Sequence, residues 1–455
     1  MDNALIVVDV GKTHTKLSLM DRQGAVLAAR SRVNARPVLD ARLDLDASGM
    51  EEWLVHHLRE FAKLATVGAI VPVAHGATAA FVSEDCLLVP VLDYETEIPP
   101  DIAEQYDRER DPFEETCSPR LPQGLNLGAQ LFWQERLYPS ASRANILLWP
   151  QFWAWRLCGE RAAEVSSLGC HTDLWRPTDQ RYSALAQQHG WDRRLGAIRP
   201  ASAILGTLRP EIAAATGLRR SCEVLCGVHD SNAALNAARG IADLGGAPFV
   251  LVSTGTWFVA MQSGAPAFPE LDPQRDTLAN VDIEGHAVPS VRFMGGREYA
   301  AILGDAIGTT PTLGDAERLV AREVMTRPSF VPGTGPFPQS KGAIVGQVEN
   351  NAELASLASL HLALMTHASL DLIAATGPIV IEGRFADDAV FPAALAALCP
   401  NQPVFRIDLA DGIALGGARL KFPDLGSQKT AERVEPWGAD TETYASQWRN
   451  RSRGV

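Results

Sequence analysis

Cys226-Gly-Val-His-Asp-Ser-Asn-Ala-Ala-Leu-Asn-Ala-Ala-Arg-Gly240 and the run that follows, Phe249-Val-Leu-Val-Ser-Thr-Gly-Thr-Trp-Phe258, decide how this chain reads. In the first, an apolar strand over Val224–Gly227 breaks at His229-Asp230 into an alanine-rich helix over 231–239. Asp230 therefore heads a helix, where the positive end of the dipole keeps a carboxylate ionised. An aspartate that merely caps the helix leaves the same signature. In the second, an apolar strand ends in Ser253-Thr-Gly-Thr256, a turn of small residues whose backbone N–H groups can cradle phosphate oxygens. A carboxylate on one turn and an anion cradle on another are two parts of a phosphoryl-transfer site.

Working outward, Ala247–Gln262 repeats the design of residues 4–20. Ala4–Val8 is a continuous apolar run, as in a strand buried on both faces, and Gly11 marks a turn before Lys16-Leu-Ser-Leu19 alternates. Two such hairpins about 240 residues apart predict two related halves, 1–240 and 241–455, each within the usual size range of a large domain. Asp9 lies at the end of the first apolar strand. A carboxylate there either caps the turn or answers to a partner such as Mg²⁺. Gly11-Lys12-Thr13 invites a P-loop reading, but Ile6 stands where that motif needs glycine and a strand, not a helix, follows.

Val67–Val73 is a buried strand that ends in Ala74-His75-Gly76-Ala77-Thr78, and Leu87–Leu92 another, followed by Asp93-Tyr-Glu95. Open α/β sheets place ligand contacts at such carboxyl ends. Residues 96–125 lack periodicity and predict a long surface excursion or lid. Trp149, Trp153 and Trp155 sit on a helix as core residues rather than as a sugar platform. Residues 352–375 read as a buried helix, Gly377–Gly383 as a buried strand, and 412–418 as a small-residue helix that can pack closely. The polar tail from 424 reads as surface, with Trp437 and Trp448 isolated.

Composition excludes several classes. A net charge of −13 argues against nucleic-acid or anionic-membrane partners. No apolar run is long enough for a membrane span, and Met1-Asp-Asn has no basic n-region. The seven scattered cysteines, Cys222 and Cys226 among them, fit reduced thiols and a cytoplasmic location.

Taken in order, five segments resemble the motifs of the FGGY carbohydrate kinases across residues 4–422: Asp9-Val-Gly-Lys-Thr13, Gly227-Val-His-Asp230, Ser253-Thr-Gly-Thr256, Glu382-Gly-Arg384 and Ala414-Leu-Gly-Gly-Ala418. Lys12 stands where the family usually has threonine, and Arg384 follows a single glycine where the family usually has two. The resemblance implies a two-domain α/β fold of the actin, hexokinase and Hsp70 type (ribonuclease H-like) with a cleft between the halves. It implies an N-terminal half that binds sugar and a C-terminal half that binds ATP, closing over the substrate. It implies Mg²⁺ with Asp9 as a partner, phosphates held by Gly11, Lys12, Thr13, Ser253, Gly255 and Thr256, and adenosine near Gly383, Arg384 and Gly416. Asp230 becomes the base that deprotonates a terminal sugar hydroxyl, with His75, Gly76, Asp93 and His229 around the sugar. The combination is most similar to the ketose branch, which holds L-rhamnulose, L-fuculose, xylulose and ribulose kinases. A homodimer is one assembly to expect, since many relatives pair. Two alternatives stay open: an inert sugar sensor of the same fold, and a chaperone-like ATPase.

Overall fold

The computed structural model describes residues 4–39, 42–241, 244, 247–407, 411–426, 430–438 and 440–452. The chain divides into two compact units. The first holds Met1–Gly240, Ala279–Ala287 and Asp411–Gln428, and the second holds Ile241–Leu278, Val288–Ala410 and Lys429–Val455. Two stretches that the linear reading assigned to the C-terminal half, 279–287 and 411–428, therefore pack with the first.

In the first unit, strand β1 (Ala4–Val10) turns at Gly11–Thr13 into strand β2 (His14–Asp21), antiparallel, with Asp9 opposite Lys16. Val67–Ala74, here β3, runs parallel on the other edge of β1. Val26–Val33 flanks β2, and Glu223–Leu225 and Ile204–Thr207 extend the sheet beyond β3. Leu5, Ile6, Val7 and Val8 are all buried, as a strand covered on both faces demands. Trp149, Trp153 and Trp155 are buried in the core beneath this sheet. The short strand Val228–His229 also pairs with β3, and helix α1 (Asp230–Arg239) starts directly from it. Gly227 makes that junction possible: its φ is +86°, and a Cβ would stand 2.4 Å from the carbonyl oxygen of Pro72. Helix α2 (Gly412–Arg419) lies against α1, and Asn236 Nδ2 donates to the Gly416 carbonyl at 2.8 Å.

The second unit repeats the motif. Strand β4 (Phe249–Thr254) pairs antiparallel with β5 (Phe258–Ser263), and β6 (Ile379–Gly383) runs parallel on the other edge of β4. Val404–Arg406 and Glu432–Arg433 extend the sheet. The helix Asn351–Leu372 is buried on most sides and anchors the core.

Two expectations are corrected here. Residues 96–125 include the helix Pro100–Glu109, and its Tyr106 is fully buried. Tyr106 and Arg110 both bond Asp173, so this stretch is tied into the first unit rather than standing off it as an excursion. The tail is not a loose surface segment either. Helix Thr441–Ser452 buries Tyr444 and Trp448, the Tyr444 hydroxyl donates to the Val324 carbonyl at 2.7 Å, and Trp437 is buried.

Candidate active site

Acidic and aromatic groups converge at the carboxyl ends of β1 and β3 in the first unit. Asp9 closes β1. Its Oδ1 is buried and has no hydrogen-bond partner among the described residues. Burial first, and the charge of Asp230 second, push its pKa up to about 7 against the opposing pull of Lys16. Asp230 is held at the start of α1, its side chain a quarter exposed. Burial raises its pKa, and His75 and the bonds from Ser231 oppose that rise. Ser231 N–H donates to Asp230 Oδ1 at 2.6 Å. A carboxylate raised in pKa by burial and by the charge of a second one beside it forms an arrangement suited to a cation and a proton acceptor.

His75 follows β3, with its backbone N–H donating to Val10 O at 3.2 Å. Its side chain is buried, Nδ1 meets the Gly76 carbonyl at 3.0 Å, and Nε2 has no partner among the described residues. Burial lowers its pKa, so the ring is neutral near pH 7. Gly76 has no room for a side chain: a Cβ would stand 2.4 Å from Cys170 Sγ and 2.9 Å from His229 Nε2.

Asp93 behaves differently from the expectation of a sugar contact. It is completely enclosed, with Lys12 and the Glu95 N–H on Oδ1 and Arg36 Nε on Oδ2 at 2.7 Å. Burial alone would raise its pKa, but bonds from Lys12, the Glu95 N–H and Arg36 outweigh that and hold it below the usual carboxylate range. Lys12 is drawn to the same place. Its ammonium pairs with Asp93 and sits 3.9 Å from the centre of the Tyr94 ring. Tyr94 in turn meets His75 edge-on at 5.5 Å. The 11–13 turn is braced by Asn34, whose Nδ2 donates to Gly11 O at 2.8 Å and whose N–H donates to Thr13 O at 2.9 Å. The motifs missed Tyr94, Arg36, Asn34 and Cys170, and no local pattern marks the last three. Tyr94 alone had a signal, as the neighbour of Asp93 after a strand.

The second unit holds the other predicted residues. Thr254 and Gly383 lie opposite one another at the carboxyl ends of β4 and β6. The turn Ser253–Thr256 and the Gly383-Arg384 segment are therefore adjacent, as at a ligand site of an open α/β sheet. Thr254 Oγ1 donates to Glu382 O at 2.5 Å and accepts the Phe385 N–H at 3.0 Å, so it ties the two turns together. Gly383 has φ +85°, and a Cβ would stand 2.3 Å from Thr254 O. Thr256 and Arg384 are exposed, and the Arg384 guanidinium lies 5.4 Å from the Phe385 ring centre. The helix Gly295–Leu303 begins against this turn, with the Gly296 N–H donating to Thr256 O at 3.2 Å. Gly416 is not with these residues. It lies in α2 of the first unit, where a Cβ would fall 1.7 Å from Ala233 O in α1.

A pair of strand–turn–strand units, one with acid groups at its strand ends and one with a small-residue turn, makes up a two-unit α/β fold of the actin and hexokinase class. The comparisons with known proteins agree. A model of the C-terminal domain of FGGY carbohydrate kinases matches residues 246–431. The crystal structure of a carbohydrate kinase from Novosphingobium aromaticivorans shares 40% identity over 98% of this chain and 100% of that one, with a TM-score of 0.93. The chain belongs to the FGGY carbohydrate kinases and is an enzyme of that family. Fold likeness extends to xylulose kinase from Rhodospirillum rubrum, with 19% identity, coverage of 99% and 97%, and a TM-score of 0.80. It extends equally to Plasmodium falciparum glycerol kinase with ADP, with 11% identity, coverage of 99% and 97%, and a TM-score of 0.80. No curated protein sequence matches the chain. Among the described residues no helix is long and apolar enough to cross a membrane.

Proposed function

We propose that this kinase transfers the γ-phosphoryl group of ATP to a terminal hydroxyl of a small ketose, a deoxy-ketohexose or a pentulose, with Asp230 as general base. The observation that carries this reading is the state of Asp230. It is a partly exposed carboxylate at a helix head, fixed through one oxygen by Ser231 N–H, beside Asp9 and neutral His75. A base of raised pKa in reach of solvent is matched to accepting a proton from an alcohol near neutral pH.

His75 Nε2, buried and unpartnered, is the group we assign to a sugar hydroxyl. Asp93 acts at one remove, as the counter-ion that fixes Lys12 and Arg36. Ser253, Gly255, Thr256, Gly383 and Arg384 are assigned to the nucleotide, Thr254 bracing the pair of turns, and Gly11 and Thr13 to phosphate through their backbone. Asp9 fits a divalent cation, because its buried Oδ1 lacks any donor and its neighbour Asp230 adds a second negative charge. When bound, Mg²⁺ supplies charge neutralisation for the transferring phosphoryl group. Positioning and charge stabilisation supply most of the rate, and general-base assistance contributes about 10²–10⁴-fold.

The test is coupled ADP release with Mg-ATP across ketoses, aldoses, polyols and glycerol, with Asp230→Ala in parallel. A ketose-dependent rate that falls at least about a hundredfold in the variant is expected. A variant within threefold of wild type removes Asp230 as the base, and a preference for glycerol or an aldose removes the ketose assignment.

A further inference from the structure

The second unit buries a carboxylate that the chemistry above does not use. Glu298 is 1% exposed, and His361, which it meets, is fully enclosed. A carboxylate taken out of water is costly unless donors replace the water. Here four donors do so, two on each oxygen. The Ser329 hydroxyl donates to Oε1 at 2.5 Å and the Val331 N–H at 2.9 Å. The Phe330 N–H donates to Oε2 at 2.7 Å, and His361 Nε2 lies 3.2 Å from the same oxygen. Burial alone would raise the pKa of Glu298, but the bonds from His361, Ser329 and the Phe330 N–H outweigh it and hold the group ionised. An ionised carboxylate only accepts, so the His361 contact is an N–H donation. His361 Nδ1 meets Thr326 Oγ1 at 2.9 Å. Glu298 therefore fastens its own helix, Gly295–Leu303, to residues 329–331 and to the buried helix Asn351–Leu372.

The same helix rests on both turns assigned to the nucleotide. At its head the Gly296 N–H donates to Thr256 O at 3.2 Å. That contact has no slack: a Cβ on Gly296 would stand 2.5 Å from Gly255 O, and one on Gly295 would stand 2.3 Å from the Phe258 ring. One residue past Glu298, the Tyr299 ring meets the Phe385 ring at 5.1 Å and 72°. Phe385 directly follows Gly383-Arg384, and its N–H is bonded to Thr254 Oγ1. Its ring also lies 5.2 Å from that of Phe258. Glu298 thus sits between the helix's contact with one turn and its contact with the other. Every member of its network belongs to the second unit, whereas Asp230 and His75 belong to the first.

We propose that Glu298 is a positioning residue for the nucleotide: held by Ser329, Phe330, Val331 and His361, it sets the helix on which the turns 253–256 and 383–385 lean. This rests on the reading of those turns as the nucleotide site. Supporting groups of this kind matter because a small displacement of a binding group is enough to weaken the contacts it makes.

The test uses the full-length protein, with Mg-ADP titration calorimetry, initial rates with the sugar identified above, and amide hydrogen exchange. Glu298→Gln turns one acceptor oxygen into an amide nitrogen that faces donors. Its Kd for Mg-ADP and its KM for ATP should rise about tenfold while the KM for sugar stays within about threefold, the split expected when only nucleotide binding is disturbed. Amides of 253–256 should exchange faster without nucleotide. Ser329→Ala keeps three of the four bonds and should raise the Mg-ADP Kd about threefold, which keeps the proposal testable if the glutamine variant does not fold. Tyr444→Phe, which loses the bond to Val324 O in the same unit, is the control for stability alone and should lower Tm at unchanged Kd. A wild-type Kd in Glu298→Gln or in Ser329→Ala, equal rises in the KM for ATP and for sugar, or the same loss of affinity in Tyr444→Phe refutes the positioning role. The underlying reading has its own readout, because Mg-ADP should slow exchange at 253–256 and 383–385 in the wild type. If it slows neither, the nucleotide binds elsewhere and the reading and this inference fall together. If it slows both and Glu298→Gln still binds Mg-ADP as the wild type does, the inference alone falls.

Discussion

Asp9→Asn should stabilise the ligand-free protein at alkaline pH while abolishing turnover. The folded protein raises the pKa of Asp9 from 3.8 to about 7. That is a difference of about 3 pH units, and at about 1.4 kcal/mol each it corresponds to about 4 kcal/mol. Asp9 keeps some contact with solvent, and an effective dielectric above that of a dry interior halves the figure to about 2 kcal/mol. The sign follows from linkage. Between pH 3.8 and about 7 the folded state binds the proton more tightly than the unfolded state, so stability falls as pH rises through that window and is flat above it. Asparagine has nothing to ionise, so the variant escapes the penalty. For domains of this size about 1 kcal/mol moves Tm by about 2–4 °C. The expected gain is therefore about 4–8 °C at pH 8, shrinking to nothing near pH 4.

Differential scanning calorimetry of both proteins from pH 4.5 to 8.5, without nucleotide, is the assay. A Tm difference that does not change with pH, or an asparagine variant that melts lower at pH 8, refutes the reasoning. The Asp230 charge is the second cause of the Asp9 shift. Asp230→Asn should therefore show part of the same gain, and the two gains should not add, because each removes the repulsion felt by the other.

Lys12→Thr should lower Tm by several degrees while leaving the KM for ATP within threefold, because the ammonium serves buried Asp93 and the Tyr94 ring and a bond to a buried charge contributes about 1.5–3 kcal/mol. An ATP KM raised tenfold at unchanged Tm, read from initial rates and a melt, would place Lys12 on the nucleotide instead. Gly416→Ala should destabilise the first unit, since a Cβ 1.7 Å from Ala233 O forces α1 and α2 apart. Overpacking costs about 1–3 kcal/mol and outweighs the helix-propensity gain of up to about 1 kcal/mol, so an alanine variant with unchanged or higher urea midpoint contradicts that packing.

The parts of this molecule that were legible in the sequence are those fixed by local rules. Strand β1 announces itself because burial on both faces leaves a continuous apolar run, and β4 does so for the same reason. His75 and Asp230 were legible because each follows directly on a strand end. Partners set by long-range contact were not. Nothing near Arg36 says that it will meet Asp93 across 57 positions, and nothing near Cys170 says that it will touch His229 across 59. The tail misread for a related reason: in Thr441–Ser452 only Tyr444, Ala445, Trp448 and the ends turn inward, too thin an apolar stripe to stand out against its charges.

Lys12 shows why a motif match can place a backbone and still misplace a side chain. The turn Gly11–Thr13 lies between β1 and β2, and Asn34 holds its carbonyls. The backbone N–H groups of such a turn point where the turn geometry sends them, whatever the side chains are. A lysine side chain is a different matter, because four methylenes let its ammonium choose among anions several ångströms apart. Here a fully buried carboxylate and an aromatic face offer it two attractions, without a phosphate's exposure to water. Threonine at this position could reach neither. Lysine at this position thus braces Asp93 and Tyr94, and the Tyr94 ring packs edge-on against His75.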